Sequence, residues 1–329
     1  MSSVTDPVVG VDVGASTISA GLVCPDSGAV LETVQAPVGG GRDTVATITD
    51  LIDQVLAIAQ RQGARVDGIG VGLPGLVDVE NGTVRPMATW LPELSGVPLV
   101  SLLQERTGQR VFVDNDVNAL ALAEWMFGSG RGASSLVTVA IGTGIGAGVI
   151  LDGALVRGHV AGAGEIGHLA VSLTGPHCVC GGIACLGTYV GGRFIPDRVR
   201  ERLAQYPDTT VLARAGGDPG RITADHVFRA AAGGDPLAGE LVDDACEALA
   251  VGIGALVSML NPEAIVITGG VAASLAPLWE DIMKRTRRRA LGPALDATAV
   301  RLVLADKRAT TRGGAALVRY ETARRGPEV

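Results

Sequence analysis

Hydrophobic residues occur in short runs separated by glycine-rich turns through the first part of the chain. Runs rich in β-branched residues predict strands at 8–13, 18–23, 30–36 and 66–71. Between the last two, hydrophobic residues recur with the helical period from Thr44 to Arg61, and Gly63 follows as a stop signal. The pattern predicts a three-stranded meander, a helix and a further buried strand.

A similar succession of strands and helices fills the rest of the chain. Further strands are predicted at 110–113, 135–141, 147–151, 264–268 and 300–304. Helices are predicted at 97–108, 119–126, 187–206, 223–232, 236–259, from Gly270 through Arg289, and at 311–324. Meanders combined with βαβ crossings, present twice, predict an α/β protein with two lobes. We place the small lobe at 1–115 plus 310–329 and the large lobe at 116–309.

Composition and charge exclude several classes of function. The chain has 329 residues, 47% of them hydrophobic, and a net charge of −7, which argues against general affinity for nucleic acid or anionic membranes. Its amino-terminal sequence does not resemble a signal peptide, and no apolar run reaches the length of a membrane span. Five cysteines, an odd number, fit a reducing compartment. We therefore expect a soluble, cytoplasmic protein.

Three of the five cysteines are clustered in the segment 165–187. Cys178, Cys180 and Cys185 follow His168, and one imidazole with three thiolates can close a tetrahedron around zinc. Four protein ligands leave no open coordination position on the metal, so the spacing predicts a structural zinc that holds this loop in place. Glu165 would then present its carboxylate to a molecule bound nearby. His177 is a rival nitrogen ligand that spacing does not exclude, and three free thiols in a glycine-rich loop are the alternative.

A glycine-rich turn lies between the strands predicted at 135–141 and 147–151. Gly142, Thr143 and Gly144 would let backbone N–H groups approach an anion closely, with the threonine hydroxyl as a further donor. The dinucleotide fingerprint requires a helix after such a turn, whereas a strand is predicted here, so a nicotinamide site is not expected. A plain tight turn is the alternative to a phosphate site.

A second candidate turn joins the first two strands. Asp12, Gly14, Ser16 and Thr17 provide a carboxylate, a glycine and two hydroxyls, which suit hydrated Mg²⁺ and a terminal phosphate. Two such turns on separate hairpins can face each other across a cleft between lobes. The sequence contains no P-loop.

The segment Asp114-Asn115-Asp116-Val117-Asn118 joins a predicted strand to a predicted helix. A carboxylate there can accept a proton from a hydroxyl that attacks phosphorus, while a neighbouring amide orients the substrate. Helix capping is the alternative, but a cap needs one side chain and this segment has four polar residues. The segment therefore predicts a catalytic carboxylate.

Together these segments resemble the ROK family (repressors, uncharacterised open reading frames and sugar kinases) of the two-lobed actin-like ATPase fold. The resemblance runs from Val8 to about Ala323, and its most specific parts are the Glu165–His168 segment with its cysteines and the segment 116–119. It implies ATP, Mg²⁺ and structural Zn²⁺ as cofactors and a homodimer. Family repressors carry an additional amino-terminal helix-turn-helix, which is not expected before a strand that begins at Val8.

The resemblance also assigns roles to individual residues. It implies that Asp116 is the catalytic base, that Asn115 binds a sugar hydroxyl, and that Glu165 and His168 approach the sugar. The residues implied to hold the ATP phosphates and magnesium are Asp12 to Thr17 and Gly142 to Gly144, with Gly269 and Gly270 beside the adenosine.

The sequence departs from the family at two acceptor contacts. A glutamate that usually contacts hydroxyls near the anomeric carbon is replaced by Gly187, and an asparagine usual before the domain junction is absent from residues 86–90. Losing a charged hydrogen bond costs about 1.5–3 kcal/mol, or more than about tenfold in affinity. We therefore expect a modified acceptor (an amino sugar, an N-acyl sugar or a cyclitol), phosphorylated on a primary hydroxyl. An ordinary glucokinase and a non-catalytic sugar sensor are the alternatives.

Overall fold

The computed structural model describes residues 6–39, 43–85, 91–306 and 310–325. Within these residues the strands are Val8–Val13 (β1), Thr17–Val23 (β2), Val30–Pro37 (β3), Ile69–Leu73 (β4), Val77–Asp78 (β5), Thr83–Val84 (β6), Val111–Asn115 (β7), Leu136–Ile141 (β8), Ile145–Leu151 (β9), Ala154–Val156 (β10), Ala264–Thr268 (β11) and Ala299–Leu302 (β12). The α-helices are Thr44–Arg61 (α1), Leu99–Thr107 (α2), Asp116–Met126 (α3), Leu186–Val190 (α4), Phe194–Arg202 (α5), Thr210–Arg214 (α6), Ala224–Ala232 (α7), Pro236–Leu260 (α8), Ala272–Leu275 (α9), Trp279–Thr286 (α10), Gly292–Ala297 (α11) and Arg312–Arg325 (α12).

The first sheet has the strand order β3-β2-β1-β4-β7. Strands β1, β2 and β3 pair in antiparallel fashion, whereas β4 and β7 join β1 in parallel. The parallel register aligns Asp12 on β1 with Gly72 on β4, and Gly72 in turn with Asp114 on β7. Because the carboxyl ends of parallel strands meet at one edge, this edge collects the polar residues that follow each strand.

Helices cover the first sheet through their apolar faces. Helix α1 begins after the capping residue Asp43, whose side chain accepts a hydrogen bond from Val45 N–H. Helix α12 packs against β1 and β4 at very short range. A Cβ atom at Gly10 would lie 1.9 Å from the carbonyl oxygen of Thr311, and one at Gly70 would lie 2.0 Å from that of Gly314. Only glycine therefore allows this helix to lie so close to the strands.

The second sheet repeats the topology of the first. Its order is β10-β9-β8-β11-β12, with β11 parallel to both β8 and β12. Helix α8 follows the N-cap Asp235 with proline in its first turn, and it ends at Asn261 in the left-handed conformation. Thirteen residues of α8 are buried, as expected for a helix whose hydrophobic surface extends around much of its circumference.

The chain divides into two units. The first comprises Met1–Ser134, Gly148–Ala163 and Asp306–Val329, and the second comprises Ser135–Ala147 and Gly164–Ala305. This division differs from the predicted lobes because α3 packs on α12 and β4, which keeps residues 116–134 with the first unit. Among the described residues, no helix combines the length and apolarity needed to cross a bilayer.

Most predicted elements are present, and two predicted helices are interrupted at glycine or proline. The helix predicted at 187–206 is divided into α4 and α5 because Gly191 and Gly192 interrupt it. The helix predicted from Gly270 through Arg289 is divided into α9, a 3-10 turn that contains Pro277, and α10. The strand predicted at 66–71 begins at Ile69 instead.

Candidate active site and metal centre

The junction of β7 and α3 carries the predicted catalytic segment. Asn115 is the N-cap of α3: its side-chain oxygen accepts hydrogen bonds from Val117 N–H at 2.9 Å and Asn118 N–H at 3.2 Å. Its Nδ2 donates to the carbonyl oxygen of Gly75 at 3.0 Å. An amide carries two N–H donors, and this hydrogen bond uses one of them.

Asp116 occupies the first position of α3 and does not supply the cap. Its carboxylate is half-buried, and one oxygen accepts a hydrogen bond from Val117 N–H at 3.0 Å. Strand β4 approaches this residue closely, because a Cβ atom at Gly72 would lie 3.2 Å from the Cα of Asp116. Capping therefore explains the position of Asn115, and Asp116 follows it as the first residue of the helix.

Asp114 is buried beneath this junction, with 1% of its surface exposed. One carboxylate oxygen accepts from Asn115 N–H at 2.7 Å and Asn118 Nδ2 at 2.9 Å. The other accepts from Arg157, which also pairs with Glu321 at 2.6 Å. Burial raises the pKa of Asp114, and the charge of Arg157 opposes that shift.

Asp12 lies near the carboxyl end of β1, at the same edge of the first sheet, and the turn to β2 follows it. The turn is closed by a hydrogen bond from Gly14 N–H to the carbonyl oxygen of Thr17 at 3.0 Å, and Ser16 is exposed. Burial raises the pKa of Asp12, and a side-chain hydrogen bond with Thr310 opposes this. Asp12 lies on β1 and Asp114 on β7, the two strands that flank β4. Ordinary strand spacing places the axes of β1 and β7 about 9.6 Å apart.

Two glycine loops leave adjacent parallel strands of the second unit. Gly142 to Gly144 follow β8, and Gly269 and Gly270 follow β11. Gly269 has φ +109°, and a Cβ atom there would lie 2.4 Å from the carbonyl oxygen of Ile141. By contrast, Cβ atoms at Gly142 and Gly270 would meet nothing within 4 Å. The backbone is therefore open at these two glycines, as a loop that cradles phosphates requires.

Glu165 and His168 lie on one short turn that packs against β9. Its first residue, Gly164, has φ +83°, and a Cβ atom there would lie 1.8 Å from the carbonyl oxygen of Ala147. His168 Nε2 lies 3.9 Å from Glu165 Oε2. Burial raises the pKa of Glu165, and the nearby imidazole opposes that shift.

The predicted metal ligands converge in the second unit. One donor atom from each of His168, Cys178, Cys180 and Cys185 lies within 4.8 Å of all the others. The Cys178 Sγ to His168 Nδ1 distance is 3.6 Å, and the Cys180 to Cys185 Sγ distance is 3.8 Å. Ordinary zinc bond lengths give tetrahedral edges of about 3.6 Å for S–N and about 3.8 Å for S–S. The donor set and its geometry therefore fit zinc.

His177 is outside this cluster. It forms an isolated β-bridge with Ile183, which holds the two sides of the cysteine loop together. His168 presents Nδ1 to the thiols, and its Nε2 lies on the side of Glu165. Within the cluster, a hydrogen bond from Gly182 N–H lowers the pKa of Cys180 to about 7, whereas burial raises that of Cys185 to about 12.

Gly187, the position at which the family resemblance predicts a glutamate, is buried beside the Glu165–His168 turn. A Cβ atom at Gly187 would lie 3.1 Å from the carbonyl oxygen of Gly167 and 3.5 Å from Cγ2 of Ile145. The backbone of this turn therefore packs close to the position where the family carries a carboxylate. The other departure, at residues 86–90, lies outside the described residues.

Sequence reasoning missed two supports of the site. Gly192 N–H donates to Gly142 O at 2.8 Å and Arg193 N–H donates to Thr143 O at 3.0 Å, so the chain after α4 holds the first glycine loop. The glycine pair at 191–192 is a helix-breaking signal that indicates such a bend. The second support is the pairing of Asp114 with Arg157 and Glu321, for which no local sequence signal exists.

Known proteins share this fold and much of this sequence. A glucokinase from Thermotoga maritima is 36% identical over 283 residues, which cover 84% of this chain and 87% of that protein. The structure of a ROK family glucokinase from Streptomyces griseus, in complex with glucose and AMPPNP, has a TM-score of 0.77 at 29% identity and covers 97% of this chain and 100% of that chain. The DNA-binding transcriptional repressor Mlc of Escherichia coli is 32% identical over 240 residues, 73% of this chain and 57% of the repressor.

These matches, together with the fold, identify an ATP-dependent sugar kinase of the actin-like ATPase fold. Residues 8–321 match the model of the ROK family, and the chain belongs to that family.

Proposed function

We propose that the protein transfers the γ-phosphate of ATP to a primary hydroxyl of a sugar or sugar-like acceptor, with Asp116 as the general base. The observation that supports this most directly is the shared sheet edge: Asp12 lies near the carboxyl end of β1 and Asp116 directly follows β7, and both strands pair with β4 in parallel. One carboxylate would serve the phosphate end and the other the acceptor hydroxyl.

The chemical step follows from these roles. Asp116 takes the hydroxyl proton as the acceptor oxygen bonds to the γ-phosphorus, and the bond from that phosphorus to the β-γ bridging oxygen breaks to release ADP. The remaining N–H of Asn115 donates to an acceptor oxygen and fixes the hydroxyl for attack. Glu165 and His168 are proposed to bind the other acceptor hydroxyls.

The nucleotide phosphates are assigned to the glycine loops. Gly142, Thr143 and Gly144 with Gly14, Ser16 and Thr17 supply N–H and O–H donors, and Gly269 and Gly270 lie by the adenosine. Carboxylate and hydroxyl oxygens are the ligands that Mg²⁺ prefers, so Asp12 and the Ser16 hydroxyl fit that ion. When bound, Mg²⁺ neutralises charge on the β- and γ-phosphates. Zn²⁺ is assigned a purely structural role at His168 and the three cysteines.

A matched pair of glycine variants tests the nucleotide assignment. Gly269→Ala should destabilise the protein by about 1–3 kcal/mol, because alanine is strained at a positive φ and its Cβ would clash with Ile141 O. Gly270→Ala should leave stability within about 0.5 kcal/mol, since its Cβ points into open space. It should nevertheless raise the KM for ATP several-fold. Thermal unfolding measures the stability of both variants, and steady-state kinetics measure their KM for ATP. If Gly270→Ala is stable and its KM for ATP is unchanged, this glycine is not part of the nucleotide site.

The acceptor is proposed to be modified, because Gly187 lacks the carboxylate that would bind hydroxyls near an anomeric carbon. The position is buried beside the Glu165–His168 turn, so solvent does not compensate for the lost acceptor group. An amino sugar, an N-acyl sugar or a cyclitol with a hydroxymethyl group would not need this contact.

A panel of acceptors tests this specificity by ADP release. We expect at least one of glucosamine, N-acetylglucosamine, N-acetylmannosamine and a hydroxymethyl cyclitol to exceed glucose about tenfold or more in kcat/KM, which corresponds to the lost charged hydrogen bond. A preference for glucose would instead identify an ordinary glucokinase.

A sugar sensor without catalysis is the second candidate, and the similarity to the repressor Mlc favours it. It predicts binding of an acceptor, measured by calorimetry, without ADP release from any member of the panel. The intact Asp116 favours the kinase. The kinase proposal also retains the homodimer that the family resemblance implies. A net charge of −7 and five cysteines outside disulfides accord with a cytoplasmic protein that acts on small molecules and binds neither nucleic acid nor membranes.

A further inference from the structure

Three charged side chains from distant parts of the sequence meet beneath the catalytic segment. Asp114 comes from β7, Arg157 from the residue after β10, and Glu321 from α12. Arg157 Nε and Nη2 lie 2.8 and 2.7 Å from one Asp114 oxygen, and Nη2 lies 2.6 Å from Glu321 Oε1. The side chains of Asp114 and Glu321 are each 2% exposed, and that of Arg157 is 15% exposed.

The bonds made by Asp114 reach the residues on both sides of Asp116. Its first oxygen accepts from the backbone of Asn115 and from the side chain of Asn118. Its second oxygen is occupied by Arg157. The orientation of the Asp114 carboxylate therefore fixes the start of α3, and Arg157 fixes that orientation.

Glu321 in turn sets the position of Arg157. It also accepts hydrogen bonds from Arg324 at 2.9 Å and Arg325 at 3.3 Å, so its carboxylate is held on α12. The phenol of neighbouring Tyr320 accepts from Leu155 N–H at 2.9 Å, which ties the chain just before Arg157 to the same helix.

Stability alone is a poor explanation for this arrangement. Buried ion pairs are often no more stabilising than apolar side chains of the same volume, because desolvation offsets their attraction. A paired, hydrogen-bonded network does, however, allow one geometry where apolar packing allows several. Restriction to one geometry matters most where a side chain must lie at the correct distance and angle from a reacting hydroxyl.

We propose that Arg157 and Glu321 are positioning residues that hold the Asn115–Asn118 segment, and with it Asp116, in the geometry for proton transfer. The inference rests on the function proposed above. It assigns a role in catalysis to α12, a helix that carries none of the residues proposed to contact acceptor or nucleotide.

The test compares Arg157→Met and Arg157→Lys by steady-state kinetics and amide hydrogen exchange. With ATP and the acceptor that is phosphorylated fastest in the panel, Arg157→Met should lower kcat at least tenfold and change the KM for ATP less than threefold. Amides 115–118 should exchange at least tenfold faster. Arg157→Lys should retain more of kcat than Arg157→Met, because the lysine ammonium can still pair with a carboxylate. It should not retain all of kcat, because an ammonium cannot reproduce the fork of donors on a guanidinium.

Arg285→Met is the matched control. Arg285 also bridges two carboxylates, Asp243 at 2.6 Å and Asp281 at 2.8 Å, but it lies on α10, where no site residue is assigned. This control should keep kcat within twofold of wild type and leave exchange at 115–118 unchanged.

The proposal is overturned if Arg157→Met keeps kcat within twofold, or if its exchange at 115–118 equals that of Arg285→Met. Should Arg157→Met not fold, Glu321→Gln removes the negative charge of Glu321 and keeps the Arg157–Asp114 pair. Unchanged kcat and unchanged exchange at 115–118 in this variant would reject the proposal. Exchange is measured without substrate. A wild-type protein that lacks turnover would thus contradict the proposed function, while the exchange data would still decide the positioning role.

Discussion

Asp116→Asn is expected to lower kcat by about two to four orders of magnitude, the usual contribution of a general base. Asparagine has nearly the same shape but cannot accept the hydroxyl proton. Its amide oxygen can still accept the hydrogen bond from Val117 N–H, and Asn115 continues to cap α3. Unfolding free energy should therefore change by no more than about 1 kcal/mol, the contribution of a charge in the first turn of a helix.

The affinity for nucleotide should be unchanged, because Asp116 is not among the residues assigned to the phosphates. Titration with AMPPNP, followed by calorimetry, measures this separately from turnover. A variant that binds AMPPNP like wild type but no longer releases ADP in the presence of acceptor would separate chemistry from binding.

Asp43→Asn is the matched control for the capping alternative. Asp43 is a helix-terminal carboxylate of the same unit, and it accepts from Val45 N–H at 3.1 Å as the cap of α1. If Asp116 acted only at the helix terminus, the two variants would have similar small effects on stability and turnover. Retained kcat in Asp116→Asn would remove Asp116 from the role of base.

The parts of the site that sequence reasoning identified are encoded locally. The four metal ligands fall within eighteen residues, so donor type and spacing alone brought Cys178, Cys180 and Cys185 together with His168. The Asp114–Asn118 segment was recognised in the same way, since a strand–helix junction with an excess of polar residues is visible in sequence. Spacing could not separate His168 from His177, because that choice depends on a β-bridge that forms only in the folded loop.

What sequence reasoning missed depends on contacts between distant residues. Arg157 and Glu321 are 164 positions apart, and each resembles an ordinary surface charge until the chain folds. The short helices α6 and α11 were also missed, because five or six residues are too few for a clear helical period. The assignment of residues 116–134 to the first unit likewise depends on the packing of α3 against α12.

Removing zinc is the second change with a large expected effect. We expect one zinc per chain in the purified protein and its loss in Cys180→Ser, because a hydroxyl is a far weaker ligand than a thiolate. Structural zinc contributes about 10–16 kcal/mol of apparent binding free energy in zinc-finger peptides, so the loop should not keep its fold without the metal. Limited proteolysis should then cut within 165–187. The kcat/KM for the acceptor should fall about tenfold or more, since the hydrogen bond that the Glu165 carboxylate accepts from an acceptor hydroxyl would be lost.

Two control variants separate metal loss from general damage. Cys24→Ser changes a free cysteine outside the cluster, and His177→Ala changes the rival histidine; both should retain zinc by elemental analysis. Cys180 is the informative ligand to replace, because His168 is also proposed to approach the acceptor and its loss would confound the two effects. The AMPPNP affinity of Cys180→Ser should be unchanged, because no nucleotide contact is assigned to the loop. If the zinc-depleted variant keeps full kcat/KM, the metal does not hold Glu165 in place, and the coupling between the zinc loop and acceptor binding is wrong.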